Sequence, residues 1–319
     1  MKAVILVGTG TPPHSSSALK ARLPLLNNPL IRHQLRILAA SGVSDVILFP
    51  ASAHLQDYFR RHPGDGVKLS FQAESRPGGL VLGADAAAEP LVVLADDVLP
   101  GWQLAELAAH HRRRNACITA ATCGGPDMPA GVWIVSGAAG GEVARLVTLL
   151  RSGERASEQA DSVPLSDGTI RIRTADDYAA ATRMLLGRLR GDARGLVRIA
   201  DDVWGDGPVF VDPDATLAGP VLLGRNCSIA AGATVLGPAV LGDASMVCRN
   251  ATVENSIIGA GAAVGACARI TDSIITECFT IGPGAAFDHS IAIDRQQSLP
   301  VEPGSYAVQH SPRGVAARV

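Results

Sequence analysis

Two places in the N-terminal part of the chain hold residue types that can handle phosphate. The apolar run Ala3 to Val7 ends in Gly8-Thr9-Gly10-Thr11, and a polar loop then leads to Lys20. A buried strand that ends in a glycine-rich turn presents backbone N–H groups to a phosphate. Gly8 and Gly10 would let the backbone approach such an anion, and the same glycines also suit a tight turn with no ligand. The residues leave both readings open. The second place is Asp96-Asp97, which closes the apolar run Leu91–Leu94. Asp96 reads as a turn residue, and Asp97 as a carboxylate at a strand end that could meet a metal ion.

An alternating pattern of strands and helices has to position these residues. Strands are predicted at Lys2–Val7, Asp45–Phe49, Val67–Gln72, Leu91–Leu94, Cys117–Ala121, Gly131–Val135 and Thr169–Arg173. Helices are predicted over Pro29–Ala40, Leu55–Arg61, Gly83–Ala88, Trp102–Arg114 and Asp176–Leu189. The last has Thr174 as N-cap and Asp177 at the third helical position, a capping-box variant. Near-continuous apolar strands alternating with helices mean a mainly parallel sheet covered on both faces. Such a sheet binds its ligand beyond the carboxyl ends of its strands. Gly8 to Thr11 and Asp96-Asp97 both fall at such ends and should face one crevice.

The C-terminal part has a different period. Val211, Leu217, Leu223, Ile229, Val235, Leu241, Val247 and Val253 recur at a strict spacing of six. Four positions after each stands Ala215, Val221, Cys227, Ala233, Ala239, Ser245, Ala251 or Ile257, nearly all small. This is the hexapeptide signature of a parallel β-helix, and six residues per face implies the left-handed, triangular form. Beyond Val253, NSIIG, DSIIT and HSIAI recur every 17 residues at 255, 272 and 289, which implies one shortened corner per coil. The domains expected are 1–190 (α/β), 191–208 (linker), 209–297 (β-helix) and 298–319 (irregular tail).

Composition excludes several classes. A chain of 319 residues can carry two domains with real cores. A net charge of -2 gives no electrostatic case for nucleic acid or an anionic membrane. No apolar run reaches the roughly 18 residues of a membrane span. Hydrophobic residues make up 47% but aromatics only 4%, beside 34 glycines, so small aliphatics do the packing. Six cysteines, at 117, 123, 227, 248, 267 and 278, form no CxxC pair. With the N-terminus running directly into a strand, reduced thiols and a cytoplasmic location are expected.

These segments resemble the sugar-1-phosphate nucleotidylyltransferases (NDP-sugar pyrophosphorylases), most nearly the mannose-1-phosphate guanylyltransferase type. MKAVILVG is similar to an opening strand MKAVILAG, and LVVLADDVLPGWQLAELAAHHRRR to FLVLNGDVL followed by LDLAELL. AGVWIVS is similar to NAGIYVF, and RTADDYAAATRMLL to GTPEDYLEANR. The likeness covers nearly the whole chain. It implies a Rossmann-like α/β nucleotidyltransferase domain followed by a left-handed β-helix. It also implies a reaction in which a sugar 1-phosphate attacks the α-phosphorus of an NTP and pyrophosphate leaves, stabilised by backbone amides, Arg, Lys and Mg²⁺. By the resemblance, Gly8, Thr9, Gly10 and Thr11 form the phosphate loop, Lys20 stands at a phosphate-contacting lysine and Asp97 at the metal aspartate. Gly78 and Gly79, in RPGGLVLGA, fall on the nucleotide side. Mg²⁺ is the implied cofactor of an active protein, and none is needed otherwise.

Four departures from the pattern bear on turnover. GGxGTRL has become VGTGTPPH, which removes an arginine and puts Pro12 and Pro13 where N–H donors would be. A threonine is missing at RPGGLVLGA, and the segment between Ala121 and Gly131 has lost the sugar-contacting EKP motif and the Asn of NAG. The second metal aspartate falls on Arg171, whose charge would repel Mg²⁺ or, alternatively, pair with Asp97 or a phosphate. The expectation is a catalytically impaired member acting as a regulatory or structural partner in sugar-nucleotide metabolism. It would keep a nucleotide or NDP-sugar pocket and form a homo-oligomer, or a hetero-oligomer with an active homologue. The alternative is an active enzyme with a rearranged site carried by Lys20, Asp97 and Arg171. A third class, a hexapeptide-repeat acyltransferase, needs a His base. Only His289 lies in the ladder, where it should face solvent.

Overall fold

The computed structural model describes residues 1–7, 24–63, 66–73, 89–101, 104–122, 129–136, 161–165, 168–172, 174–189, 195–293 and 307–310. The chain divides into two compact units, Met1–Pro24 with Asn28–Arg173, and Leu25–Asn27 with Thr174–Val319.

In the first unit, β1 (Lys2–Leu6), β2 (Asp45–Phe49), β3 (Lys68–Phe71), β4 (Leu91–Ala95), β6 (Ile118–Thr122), β7 (Pro129–Val135) and β8 (Asp161–Pro164) form one sheet. Their order is β8-β6-β7-β4-β1-β2-β3. β1 runs parallel to β2 and β4, with Leu6 opposite both Phe49 and Ala95. β7 alone is antiparallel to its neighbours β4 and β6. Outside this sheet, the short β5 (Val98–Leu99) pairs antiparallel with β9 (Ile170–Arg171). The helices are α1 (Leu30–Ala40), α2 (Ala53–Arg61) and α3 (Leu104–Arg114). The helix expected at 83–88 lies outside the described residues.

Local sequence explains these elements. β4 and β6 are buried end to end because both faces of the sheet are covered. α1 turns Leu30, Ile31, Leu35 and Leu38 inward, each worth about 1.5–3 kcal/mol of burial. α2 starts at Ser52, whose side chain accepts from the Leu55 N–H. It ends on Arg60 and Arg61, both paired with Asp57. From β1 the chain goes to β2 and β3 on one side and returns to β4 on the other. The carboxyl ends of β1 and β4 therefore flank a topological switch point, the place where open α/β sheets hold ligands.

The second unit is a parallel β-helix with three faces. The first carries Val203–Gly205, Val221–Leu223, Ala239–Leu241, Ile257–Ile258, Ile274–Ile275, Ser290–Ile293 and Ala307–His310, with Val197–Ala200 antiparallel at its edge. The second carries Val209–Val211, Cys227–Ile229, Met246–Val247, Ala263–Val264 and Thr280–Ile281. The third carries Thr216–Ala218, Thr234–Leu236, Thr252–Glu254, Arg269–Thr271 and Ala286–Asp288. The six-residue ladder is the core: Leu223, Ile229, Val235, Leu241, Val247 and Val253 are buried, and Ile258, Val264, Ile270, Ile275 and Ile281 continue it. The small partners Cys227, Ala233, Ala239 and Ala251 are buried beside them.

The change of period is a change of corner. Leu236 pairs with Glu254, but Val240 pairs with Ile257, so one residue is lost between the third and first faces. Asn255, Asp272 and His289 take left-handed φ values of 46°, 46° and 48° at the shortened corners. Next to them the serines form a ladder. The Ser273 N–H donates to Ser256 Oγ and the Ser290 N–H to Ser273 Oγ, each at 3.0 Å. Each serine hydroxyl in turn donates to the carbonyl two residues before it.

Three stretches differ from their expectations. Within 191–208, expected as linker, Val203–Gly205 already forms the first rung of the first face. The sequence ladder missed it because Gly205 occupies the position where the period requires an aliphatic residue. Within 298–319, expected to be irregular, Ala307–His310 adds a parallel strand to Ser290–Ile293. Finally, α4 (Ala175–Arg188), expected with the α/β domain, belongs to the second unit. The outward row of the first face is apolar, and Trp204, Leu222, Val240, Ile274 and Ile291 are all buried. Ala179, Thr182 and Arg183 of α4 share a small cleft with Ile257, Ser273 and Ile274 of that face. Thr174 and Asp177 form the expected capping box at the start of α4.

Candidate functional site

The site is built at the carboxyl end of β4. The Asp96 N–H donates to the Leu6 carbonyl at 3.1 Å, so the acidic turn begins beside the end of β1. Asp96 and Asp97 are both buried, Asp97 with no solvent exposure. The chain then reverses into β5, and β9 lies against it with Arg171 opposite Val98. The Ile172 N–H donates to the Asp97 carbonyl at 2.7 Å, fixing the backbones together. This register delivers Arg171 to Asp97: Nη2 lies 2.9 Å from Oδ2 and 3.2 Å from Oδ1. The Arg171 side chain keeps 18% exposure.

Two residues hold this arrangement in place. Gln34, on α1 and fully buried, donates through Nε2 to the Ala95 carbonyl at 2.8 Å and the Val98 carbonyl at 2.7 Å. One side-chain amide thus ties down both ends of the Asp96-Asp97 turn. Gly131, on β7, has φ of +77°, and a Cβ there would stand 2.3 Å from Val98 Cγ2 and 3.5 Å from Arg171 Nε. Only glycine lets β5 and the arginine stem pass so close over β7. Sequence reading missed Gln34 because a glutamine in an amphipathic helix looks like surface. Gly131 read as an ordinary strand residue.

Not every position expected in the site has a described placement. Asp97 and Arg171 are brought together, as one of the sequence readings of Arg171 anticipated. Gly8, Thr9, Gly10, Thr11 and Lys20, and Gly78 and Gly79, lie outside the described residues. Their roles remain expectations. His289 is exposed at a β-helix corner.

The described residues do not fit a Mg²⁺ site. Mg²⁺ requires near-octahedral oxygen ligation, usually through one or two carboxylates. Here both oxygens of Asp97 face a fixed cation. Among the described residues, no three His, Cys, Asp or Glu side chains converge. What the site does hold is spare donor capacity. The Nε of Arg171 is buried without a hydrogen-bond partner among the described residues. A buried donor of that kind calls for an explanation.

A second polar cluster lies at the opposite, amino end of β6. His111 contacts Thr119 Oγ1 through Nδ1 at 2.8 Å and Ser136 Oγ through Nε2 at 3.1 Å. Ser136 donates its own proton to the Ala116 carbonyl at 2.7 Å, so this Ser–His pair is structural, not nucleophilic. Burial holds the His111 pKa below its ordinary value, and the neighbouring His110 adds to the effect. His110 pairs with Asp161 at 2.8 Å, and that hydrogen bond lowers the Asp161 pKa.

A doubly wound sheet with an acidic turn at its switch point, followed by a β-helix, defines a nucleotidyltransferase-type protein. Comparison with known families agrees: the MobA-like NTP transferase domain matches residues 3–163, and the chain belongs to that family. It is similar to mannose-1-phosphate guanyltransferases of Yarrowia lipolytica (32% identity over 129 residues, 36% of each chain) and Schizosaccharomyces pombe (33% over 129 residues, 36% of each). It is also similar to the mannose-1-phosphate guanylyltransferase catalytic subunit beta of Dictyostelium discoideum, 32% identical over 127 residues, or 35% of this chain and 34% of that one. The chain thus spans about a third of the length of the curated relatives it matches. No helix among the described residues is long and apolar enough to cross a membrane.

Proposed function

We propose that this chain binds a nucleotide or NDP-sugar at the switch-point crevice without turning it over at enzymatic rates. It acts as a regulatory or structural partner of an active sugar-1-phosphate nucleotidylyltransferase. The observation that carries this reading is the Asp97–Arg171 ion pair. Nucleotidyl transfer at a sheet's carboxyl edge relies on cations placed where charge develops in the transition state. A carboxylate already paired with a guanidinium of its own chain has little charge left with which to recruit a metal ion. Arg171 itself suits phosphate oxygens well, since its fork of donors binds them without a metal. Its unpartnered Nε supports that role.

Isothermal calorimetry on the full chain with GTP, other NTPs and NDP-sugars, each with and without Mg²⁺, tests the proposal. Binding whose affinity changes less than about threefold on adding Mg²⁺ supports it. Binding that appears only with Mg²⁺ would overturn it.

The other reading, an active enzyme with a rearranged site, draws on the intact frame. Asp97, the β1–β4 switch point and the clamp from Gln34 would all serve a working centre. In that case Arg171 supplies the positive charge, and Lys20→Ala abolishes turnover.

A further inference from the structure

We infer that the second face of the β-helix is an interface between two copies of this chain, packed antiparallel about a two-fold axis parallel to the strands. The proposal is independent of the nucleotide site. Its starting point is the outward row of that face, where Phe210, Ser228, Met246 and Ala263 stack in register on successive rungs. Phe210 is 64% exposed and Met246 48%, on a surface whose inward neighbours are core. They flank an open groove of about 620 Å³ floored by Ser228 and rimmed by Asp212 and Arg249. Isolated exposed apolar residues are ordinary, but two large apolar side chains in register on one face, either side of a groove, mark an interaction surface.

The order of residues identifies the occupant. Over its first four rungs the row alternates large, small, large, small, and the polar Thr280 stands on the fifth. A two-fold axis between the second and third rungs reverses that order in the partner. Each large side chain then meets a small one, Phe210 against Ala263 and Met246 against Ser228 of the second copy. No other sequence is needed to complement it, which is the defining property of an isologous interface. The rim charges follow the same symmetry. Arg225 precedes the second rung and Asp243 the third, so the axis brings each against the other across the interface. Among the described residues Arg225 makes loose ion pairs, 3.8 Å to Asp206 and 3.8 Å to Asp243, and its side chain is largely exposed to a partner. At the other strand ends, exposed Arg249 falls opposite the rung next to that of Asp212 of the second copy.

Sedimentation velocity on the full chain tests this, with a dimer of twice 32.9 kDa expected at micromolar concentration. Phe210→Asp should weaken dimerisation at least 100-fold while leaving the far-UV circular dichroism spectrum unchanged. The double variant Phe210→Cys with Ala263→Cys fixes the axis. Within one chain these positions are three rungs apart, roughly 14 Å, beyond the roughly 7 Å that a disulfide spans. Oxidation should therefore give a covalent dimer on a non-reducing gel, and neither single variant should. A monomeric wild type, a dimer indifferent to Phe210→Asp, or a double variant that fails to cross-link would each overturn the proposal.

Discussion

Arg171 points its Nη2 at both carboxylate oxygens of Asp97, 2.9 and 3.2 Å away, in a pocket where Asp97 has no contact with solvent. The pair comes from two strands that meet only because β9 lies antiparallel on β5 with Arg171 opposite Val98. A buried ion pair contributes little net stability, but removing one partner strands the other. That asymmetry makes the pair testable.

Arg171→Ala leaves the Asp97 charge buried without its partner. The expected loss is on the order of 3 kcal/mol, toward the low end for buried pairs because the Arg171 side chain is partly exposed. Urea denaturation measures it. Arg171→Asp instead places a carboxylate beside Asp97, and its melting temperature should rise with added Mg²⁺. A Mg²⁺ shift as large in the wild type would mean that Asp97 is free to bind metal.

Gln34→Leu removes one side chain but two hydrogen bonds, leaving the Ala95 and Val98 carbonyls unsatisfied in the core. An unsatisfied buried acceptor costs about 1–3 kcal/mol, so a loss of roughly 2–4 kcal/mol is expected. Hydrogen exchange separates a local from a global effect. Amides of residues 95–98 should lose protection more than those of β6, and equal losses would show that Gln34 is merely core packing.

The order of elements and the β-helix core were legible in the sequence because both rest on periodicity. Apolar strands and the Val211-to-Val253 ladder carry their own spacing. The shortened corner was also legible, since a 17-residue repeat has no other explanation in a six-residue ladder. The start of the helix was not, because Gly205 has no side chain with which to announce its rung. Nor was the place of α4, because its packing answers to outward residues of a face whose sequence signal is dominated by the inward ones. At the site, Asp97 stood out as a strand-end carboxylate. Arg171 stood out only through resemblance, and its meeting with Asp97 depends on a two-residue strand that no periodicity marks. Gln34 carried no signal, since its role is fixed by carbonyls more than sixty residues away in the chain.

Stability should fall with acid in two stages. The pKa of His111 is lowered in the folded state, so the unfolded chain binds the proton more readily. As pH falls below the ordinary value of 6.5, stability declines until the folded pKa is reached. Asp161 also has a lowered pKa, through the hydrogen bond from His110. Its contribution is present above the ordinary carboxylate value and is lost as pH falls through the folded one. His111→Gln should flatten the first stage alone, as read from urea midpoints between about pH 7 and pH 5.

Ser273→Ala breaks the serine ladder in its middle, removing the acceptor for the Ser290 N–H and the donor to the Thr271 carbonyl. A loss of about 1–3 kcal/mol is expected. Because each coil contacts only its neighbours, the loss should fall on the later coils. Exchange protection of Ile274, Ile275 and Ile291 should drop while that of Val221 to Leu223 stays. A uniform drop would contradict a local corner device.

The most direct test of the nucleotide-site reading is pyrophosphate release by the full chain. Purified protein is supplied with Mg²⁺, GTP and mannose 1-phosphate, and then with a panel of other NTPs and sugar 1-phosphates. With Asp97 held by Arg171, release should not exceed the rate without protein for any pair. Turnover on the order of one per second or faster, the ordinary range for enzymes, would contradict it.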